Sequence, residues 1–135
     1  MRATGIVRRI DDLGRVVIPR EIRKTLKIKE GDPLEIFTTN DGEVIFKKYT
    51  YCDEKDWERA KKIVKVLTDV PFALYDNYGE LKEMSKGNMP TYCDSADNII
   101  FANGDIIGYI YFDGDILKED VSKIKDVLTQ LFTDE

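Results

Sequence analysis

The chain has 135 residues, 42% hydrophobic and 35% charged, a balance that suits one domain or two small ones and excludes a disordered chain. No apolar run approaches the roughly 20 residues needed to span a bilayer, and the N-terminus, MRATGIVRRIDD, has no signal-peptide apolar region, so a cytoplasmic protein without a membrane partner is expected. The net charge of −5 conceals a split: residues 1–50 carry +3, residues 51–135 carry −8, and residues 1–29 hold nine basic side chains against three acidic ones. A basic pole on an acidic protein attracts a polyanion locally while the remainder limits non-specific adhesion.

The first 50 residues pack their signals closely. Gly5 to Ile10 is β-prone, Asp11-Asp12-Leu13-Gly14 is a turn, and Arg15 to Ile18 is a second strand candidate. Pro19 has no N–H to give to a central ladder but suits the first turn of a helix, where that donor is unpaired anyway. The helix continues from Arg20 to Lys27, with Ile22 and Leu26 on one face and Arg20, Arg23, Lys24 and Lys27 on the others. Glu30-Gly31-Asp32-Pro33 stops it. Leu34–Thr39 and Glu43–Tyr49 are strands joined by the hairpin signal Asn40-Asp41-Gly42. The unit reads ββαββ in about 45 residues, too little chain to bury a good core alone. A core shared between two copies is the physical remedy.

Tyr49 to Asp53 reads as a linker. A helix follows over Glu54–Thr68, capped by Asp53, with Trp57, Ala60, Val64 and Leu67 at 3-4-3 spacing. Phe72–Tyr75 is a strand, residues 80–92 read as loop, and Asn98–Ala102 and Ile106–Phe112 are strands joined by Asn103-Gly104-Asp105. The last helix, Leu117–Phe132, places Leu117, Val121, Ile124, Leu128 and Leu131 at 4-3-4-3 spacing. Two heptads of that seam serve equally as an intramolecular core face or a subunit interface. There is no internal repeat and no low-complexity segment.

The chain contains no histidine, which removes Ser-His-Asp and Cys-His catalytic sets and the commonest transition-metal ligand. There is no phosphate-binding glycine loop, and Asp113-Gly114-Asp115 lacks the spaced ligands of a calcium loop. No catalytic residue, cofactor or metal site is expected. Cys52 and Cys93 form no CxxC pair and read as thiols of a reducing compartment. The arginines remain. A guanidinium fork grips phosphate or the O6/N7 edge of guanine bidentately, which lysine does less well. Arg8, Arg9, Arg15, Arg23 and Lys24 are the candidate DNA-binding residues, each present twice in a two-fold dimer. Competing ion pairs with Asp11, Asp12 or Glu21 are expected to claim Arg9 and Arg20 first.

The stretches TGIVRRIDDLGRVVIPREIRKTLKI (4–28), EGDPLEIF (30–37) and DGEVIFKKY (41–49) resemble the AbrB-type transition-state regulators, over about a third of the chain. The resemblance implies an α+β protein with an N-terminal swapped-hairpin β-barrel, an intertwined homodimer, over residues 1–50. It maps the family's DNA contacts onto Arg8, Arg15 and Arg23, with Lys24 where some relatives carry arginine. It implies a transcription regulator of stationary-phase or sporulation genes, associated with the nucleoid, that binds loosely defined double-stranded DNA. Residues 51–135 resemble a shortened GAF domain, a ligand-sensing fold, through FANGDIIGYIYF at 101–112 and the flanking helices. This small C-terminal α/β domain is expected to pair dimers into a homotetramer, with room for an unknown small-molecule ligand. Tyr75, Tyr78, Tyr92, Phe101, Tyr109 and Tyr111 either line a pocket or serve as core and strand-face residues. The alternative function is that of an antitoxin, a related class whose C-terminal tail wraps a toxin protein. Such tails are extended when free, unlike the helix and strand patterns of residues 54–132.

Overall fold

A computed structural model describes residues 3–95 and 98–133. Among these, the elements are α1 (Arg20–Leu26), β1 (Leu34–Thr38), β2 (Val44–Lys48), α2 (Glu54–Leu67), β3 (Phe72–Asp76), β4 (Leu81–Met84), β5 (Ile99–Ala102), β6 (Asp105–Phe112) and α3 (Lys118–Thr133). The protein is α+β. The single chain divides into two compact units at Asp32/Pro33.

The first unit departs from the expected ββαββ order, because residues 5–10 and 15–18 join no strand ladder. A strand exists by pairing its backbone with a neighbour, and these two arms meet through the Asp11 turn, where the Asp11 amide donates to the Arg15 carbonyl at 3.0 Å. Helix α1 starts after Pro19, whose extended ψ of 146° makes it the cap residue rather than the first helical one. The helix ends at Leu26, one residue inside the expected range, because Lys27 adopts a left-handed φ of 57°. The amide of Ile28 then returns to the Arg23 carbonyl at 2.8 Å, which satisfies a terminal acceptor.

The second unit opens with the β1–β2 hairpin in the expected register, Ile36 opposite Phe46 and Glu35 opposite Lys47. Gly42 takes the positive φ of 86° that the turn needs. The hairpin clusters with this unit, and its two ends hydrogen-bond to residues 77 and 78. Residues 49–53 are accordingly not a free linker: Tyr49 is bonded at both its amide and its carbonyl, and Cys52 is buried.

The remainder is a four-stranded antiparallel sheet in the order β4-β3-β6-β5. Strand β4 lies in the stretch read as loop; its local sequence is a weak strand signal, and it exists through pairing with β3, Ala73 opposite Met84 and Leu74 opposite Glu83. Helix α2 begins with a reciprocal capping box: Asp53 accepts from the Asp56 amide and Asp56 from the Asp53 amide. Trp57, Ala60 and Val64 of α2 and Ile124, Leu128 and Phe132 of α3 are buried in one cluster with Phe72, Leu74, Ile100 and Ile110 of the sheet. The α3 seam is therefore an intramolecular core face at Ile124, Leu128 and Leu131, while Leu117 stays exposed. Phe132, outside that seam, meets Trp57 edge-on at 5.6 Å.

Ala73, Tyr75, Met89 and Tyr109 form a second, smaller cluster joined by Leu81, Cys93, Ile99 and Tyr111. A strap over residues 85–93 contributes Met89 and Cys93, and Tyr75 donates its hydroxyl to the Pro90 carbonyl at 2.7 Å. Burial, followed by the neighbouring Cys93 and Tyr111, pushes the Tyr75 phenol up to about 12. Of the six aromatics, Tyr75, Tyr78 and Tyr109 are buried, Tyr92 and Tyr111 half-buried and Phe101 exposed, the distribution of core and surface residues.

Candidate nucleic-acid interface

All five candidate residues lie in the first unit, on two local devices. The first is the turn at Asp11. Its Oδ1 accepts from the amides of Leu13 at 2.9 Å and Arg15 at 2.8 Å, and Gly14 takes a positive φ of 78° to close the turn. The same carboxylate reaches the Arg15 side chain, Oδ2 to Nε, at 2.8 Å. Arg15 is thus the arginine that pairs with Asp11, in place of the expected Arg9. The pairing takes one of the five guanidinium N–H donors, and the Arg15 side chain remains 68% exposed. An exposed ion pair of this kind adds little stability, but it orients the fork. The Arg15 amide, opposed by some desolvation and aided by the Arg15 side chain and the Leu13 amide, holds the Asp11 carboxyl below its ordinary range. The turn therefore loses its charge-assisted form at a lower pH than an ordinary aspartate would.

The second device is α1. Its seven residues bury none of their side chains, so Arg23 and Lys24 are exposed. Arg23 folds back, donating Nε to the Ile18 carbonyl at 3.1 Å, which fixes its base against the segment before the helix. Arg8 donates Nη1 to the adjacent Val7 carbonyl at 3.0 Å, and Arg9 is exposed. Among the candidates, Arg15 and Arg23 are each held at Nε and Arg8 at Nη1. Lys24 keeps the charge without a fork.

Sequence reasoning expects Asp11 to pair with an arginine, and it does; what that reasoning missed is that the pairing orients the Arg15 guanidinium. The signal was present in Asp11-Asp-Leu-Gly-Arg15, where an Asp-initiated turn puts the fifth residue within reach of the carboxylate. A shallow groove of about 430 Å³, lined by Thr4, Ile6, Glu21, Ile22, Thr25 and Leu26, also lies in this unit. Its apolar lining and single carboxylate suit packing rather than an anion. Among the described residues, no three carboxylate or thiol side chains gather as a metal site, and no helix is long and apolar enough to cross a membrane.

Residues 7–51 match the family described as antidote-toxin recognition MazE, bacterial antitoxin. The chain thus carries a MazE/AbrB-type N-terminal domain. Within that class it is similar to stage V sporulation protein T of Bacillus subtilis (strain 168), 61% identical over 79 residues, which are 58% of this chain and 40% of the relative. It is 59% identical over 49 residues to the transition state regulatory protein AbrB of the same organism, covering 36% of this chain and 50% of that one. The chain spans about half or less of the length of these curated relatives. The solution structure of the N-terminal DNA recognition domain of AbrB is 56% identical and covers 37% of this chain and 92% of that domain, with a TM-score of 0.32.

Proposed function

We propose that the protein is a DNA-binding transcription regulator of the AbrB type, without enzymatic activity, acting on stationary-phase or sporulation genes in the cytoplasm and at the nucleoid. The observation that carries this reading is the pairing of 56% identity to a DNA recognition domain with the exposed, oriented guanidiniums of Arg15 and Arg23. Arg8, Arg9 and Lys24 supply further phosphate contacts. Two copies interleave residues 1–50 as a swapped-hairpin barrel. The support is the apolar surface of the single chain: Val7, Ile10 and Val17 on the arms, and Ile36, Val44 and Phe46 on one face of the hairpin, are all exposed. In an intertwined dimer the arms gain strand partners and these side chains gain a core. Residues 51–135 then form a GAF-like assembly domain that joins dimers into a tetramer, so that two barrels hold one DNA segment.

A titration of mixed-sequence and AT-rich duplexes at several salt concentrations tests this. Binding that weakens steeply with salt is expected. Arg15→Ala and Arg23→Ala, each changing two side chains per dimer, should each lower the salt slope by about two and weaken binding on the order of tenfold. Unchanged affinity in both variants removes the proposed surface. The family description favours an antitoxin as a second reading. Residues 54–133 speak against it, because they form a four-stranded sheet with two helices rather than an extended tail.

A further inference from the structure

Both ends of the β1–β2 hairpin converge on one turn of the C-terminal sheet, Asp76-Asn77-Tyr78-Gly79. The Tyr78 hydroxyl donates to the carbonyl of Pro33, just before β1, and accepts from the amide of Tyr49, just after β2, at 3.3 Å. Asn77 Nδ2 donates to the Tyr49 carbonyl at 3.0 Å. The Lys48 ammonium lies 4.8 Å from the Tyr78 ring centroid and 3.0 Å from Glu80 Oε1. The exit of the hairpin is therefore gripped at an amide, a carbonyl and a side chain, and the tyrosine and asparagine that grip it are both buried.

The turn itself is rigid. Buried Asp76 accepts from the amides of Tyr78 at 2.8 Å and Glu80 at 3.1 Å, and faces Lys82 at 3.5 Å. On its far side the Gly79 carbonyl accepts from the Cys93 amide at 2.8 Å. Gly79 has a φ of +84°, and a Cβ there would meet the Cys93 carbonyl at 2.7 Å and the Tyr92 ring at 2.8 Å. The turn is thus held between the hairpin and the strap that covers the second sheet face.

We propose that this turn is a joint fastening the β1–β2 hairpin to the C-terminal sheet, with Tyr78 and Asn77 as positioning residues that hold the hairpin. The proposal rests on the DNA-binding reading for its functional consequence, since a loosened joint lowers the effective concentration of a second barrel on one duplex. A merely structural turn would stabilise its own domain and leave the hairpin's tumbling independent of it.

The test compares the full chain with Tyr78→Phe, which keeps the ring and removes the hydroxyl. Nitrogen-15 relaxation on deuterated protein should give residues 34–48 and 72–112 one correlation time in the parent chain. In Tyr78→Phe the two should separate by about twofold, and affinity for a duplex long enough for two barrels should fall about threefold or more. Equal correlation times in the variant, or separated ones with unchanged affinity, would overturn the proposal. A parent chain that binds no duplex sinks the DNA-binding reading instead, and relaxation alone then judges the joint. If circular dichroism shows Tyr78→Phe unfolded, Asn77→Ala, which deletes only the bond to the Tyr49 carbonyl, is read in the same way.

Discussion

Residues 72–110 bury most of their large apolar side chains within one chain, whereas residues 5–17 bury none of theirs. Phe72, Leu74, Ile100 and Ile110 are at most 1% exposed, while Val7, Ile10 and Val17 are 84%, 71% and 70% exposed. The two regions do not differ in hydrophobic content so much as in what they are given to pack against. The C-terminal sheet has two helices on one face and the 85–93 strap on the other. The N-terminal arms have one short helix that buries nothing. A single chain thus completes one core and leaves the material for a second on its surface, which is the arrangement expected when that second core is built by two copies.

The largest effect is expected where the self-sufficient core is tightest. Gly108 has no room for a Cβ, which would lie 2.1 Å from the Tyr75 carbonyl oxygen and 2.7 Å from the Trp57 ring. Gly108→Ala should cost about 3 kcal/mol, by forcing β6 from β3 or displacing the indole. Gly14 presents the opposite case, with a φ of +78° and open space around it, so Gly14→Ala should cost only about 1 kcal/mol in backbone strain. Denaturant unfolding followed by far-UV circular dichroism compares them, and equal costs would show that the two regions are not packed so differently.

Next in size is a change that the isolated chain would not feel. Val17→Asp replaces an exposed side chain and should leave the C-terminal sheet intact. If the arms build a shared barrel, the dimer dissociation constant should rise tenfold or more, about 1.4 kcal/mol. Sedimentation over a concentration series decides this, and an unaltered dimer would place the subunit contact elsewhere.

The smallest effect is a titration. The Tyr75 phenol is pushed up to about 12, so its protonated form is favoured by the fold. The corresponding stability is fully present below the ordinary tyrosine range near 10 and is lost as pH rises towards 12. Phenolate absorbance should show the Tyr75 phenol ionising late, together with unfolding. A Tyr75→Phe variant that keeps the late step would assign it to another residue.

Apart from β4, in the stretch read as loop, the elements of the C-terminal domain were legible because their signals are local. The Asp53 cap, the Trp57-Ala60-Val64 spacing and the Asn103-Gly104-Asp105 turn each act within a few residues and appear where periodicity puts them. So does the β1–β2 register, which its turn sets. The charge split and the resemblance likewise singled out the candidate arginines, and both rest on chain composition and order alone. Tertiary structure decided what depends on distant partners. It turned the α3 seam inward, since Ile124 and Leu128 meet sheet residues far away in sequence. It gave Asp11 to Arg15, because a turn's reach, not its charge, selects the partner. It converted Tyr49 from linker to fixed point, because the groups that hold it, Asn77 and Tyr78, lie 28 and 29 residues further on. A local pattern states what a segment can become, and only the neighbours that the fold brings to it decide which of its hydrogen bonds and apolar faces are satisfied within the chain.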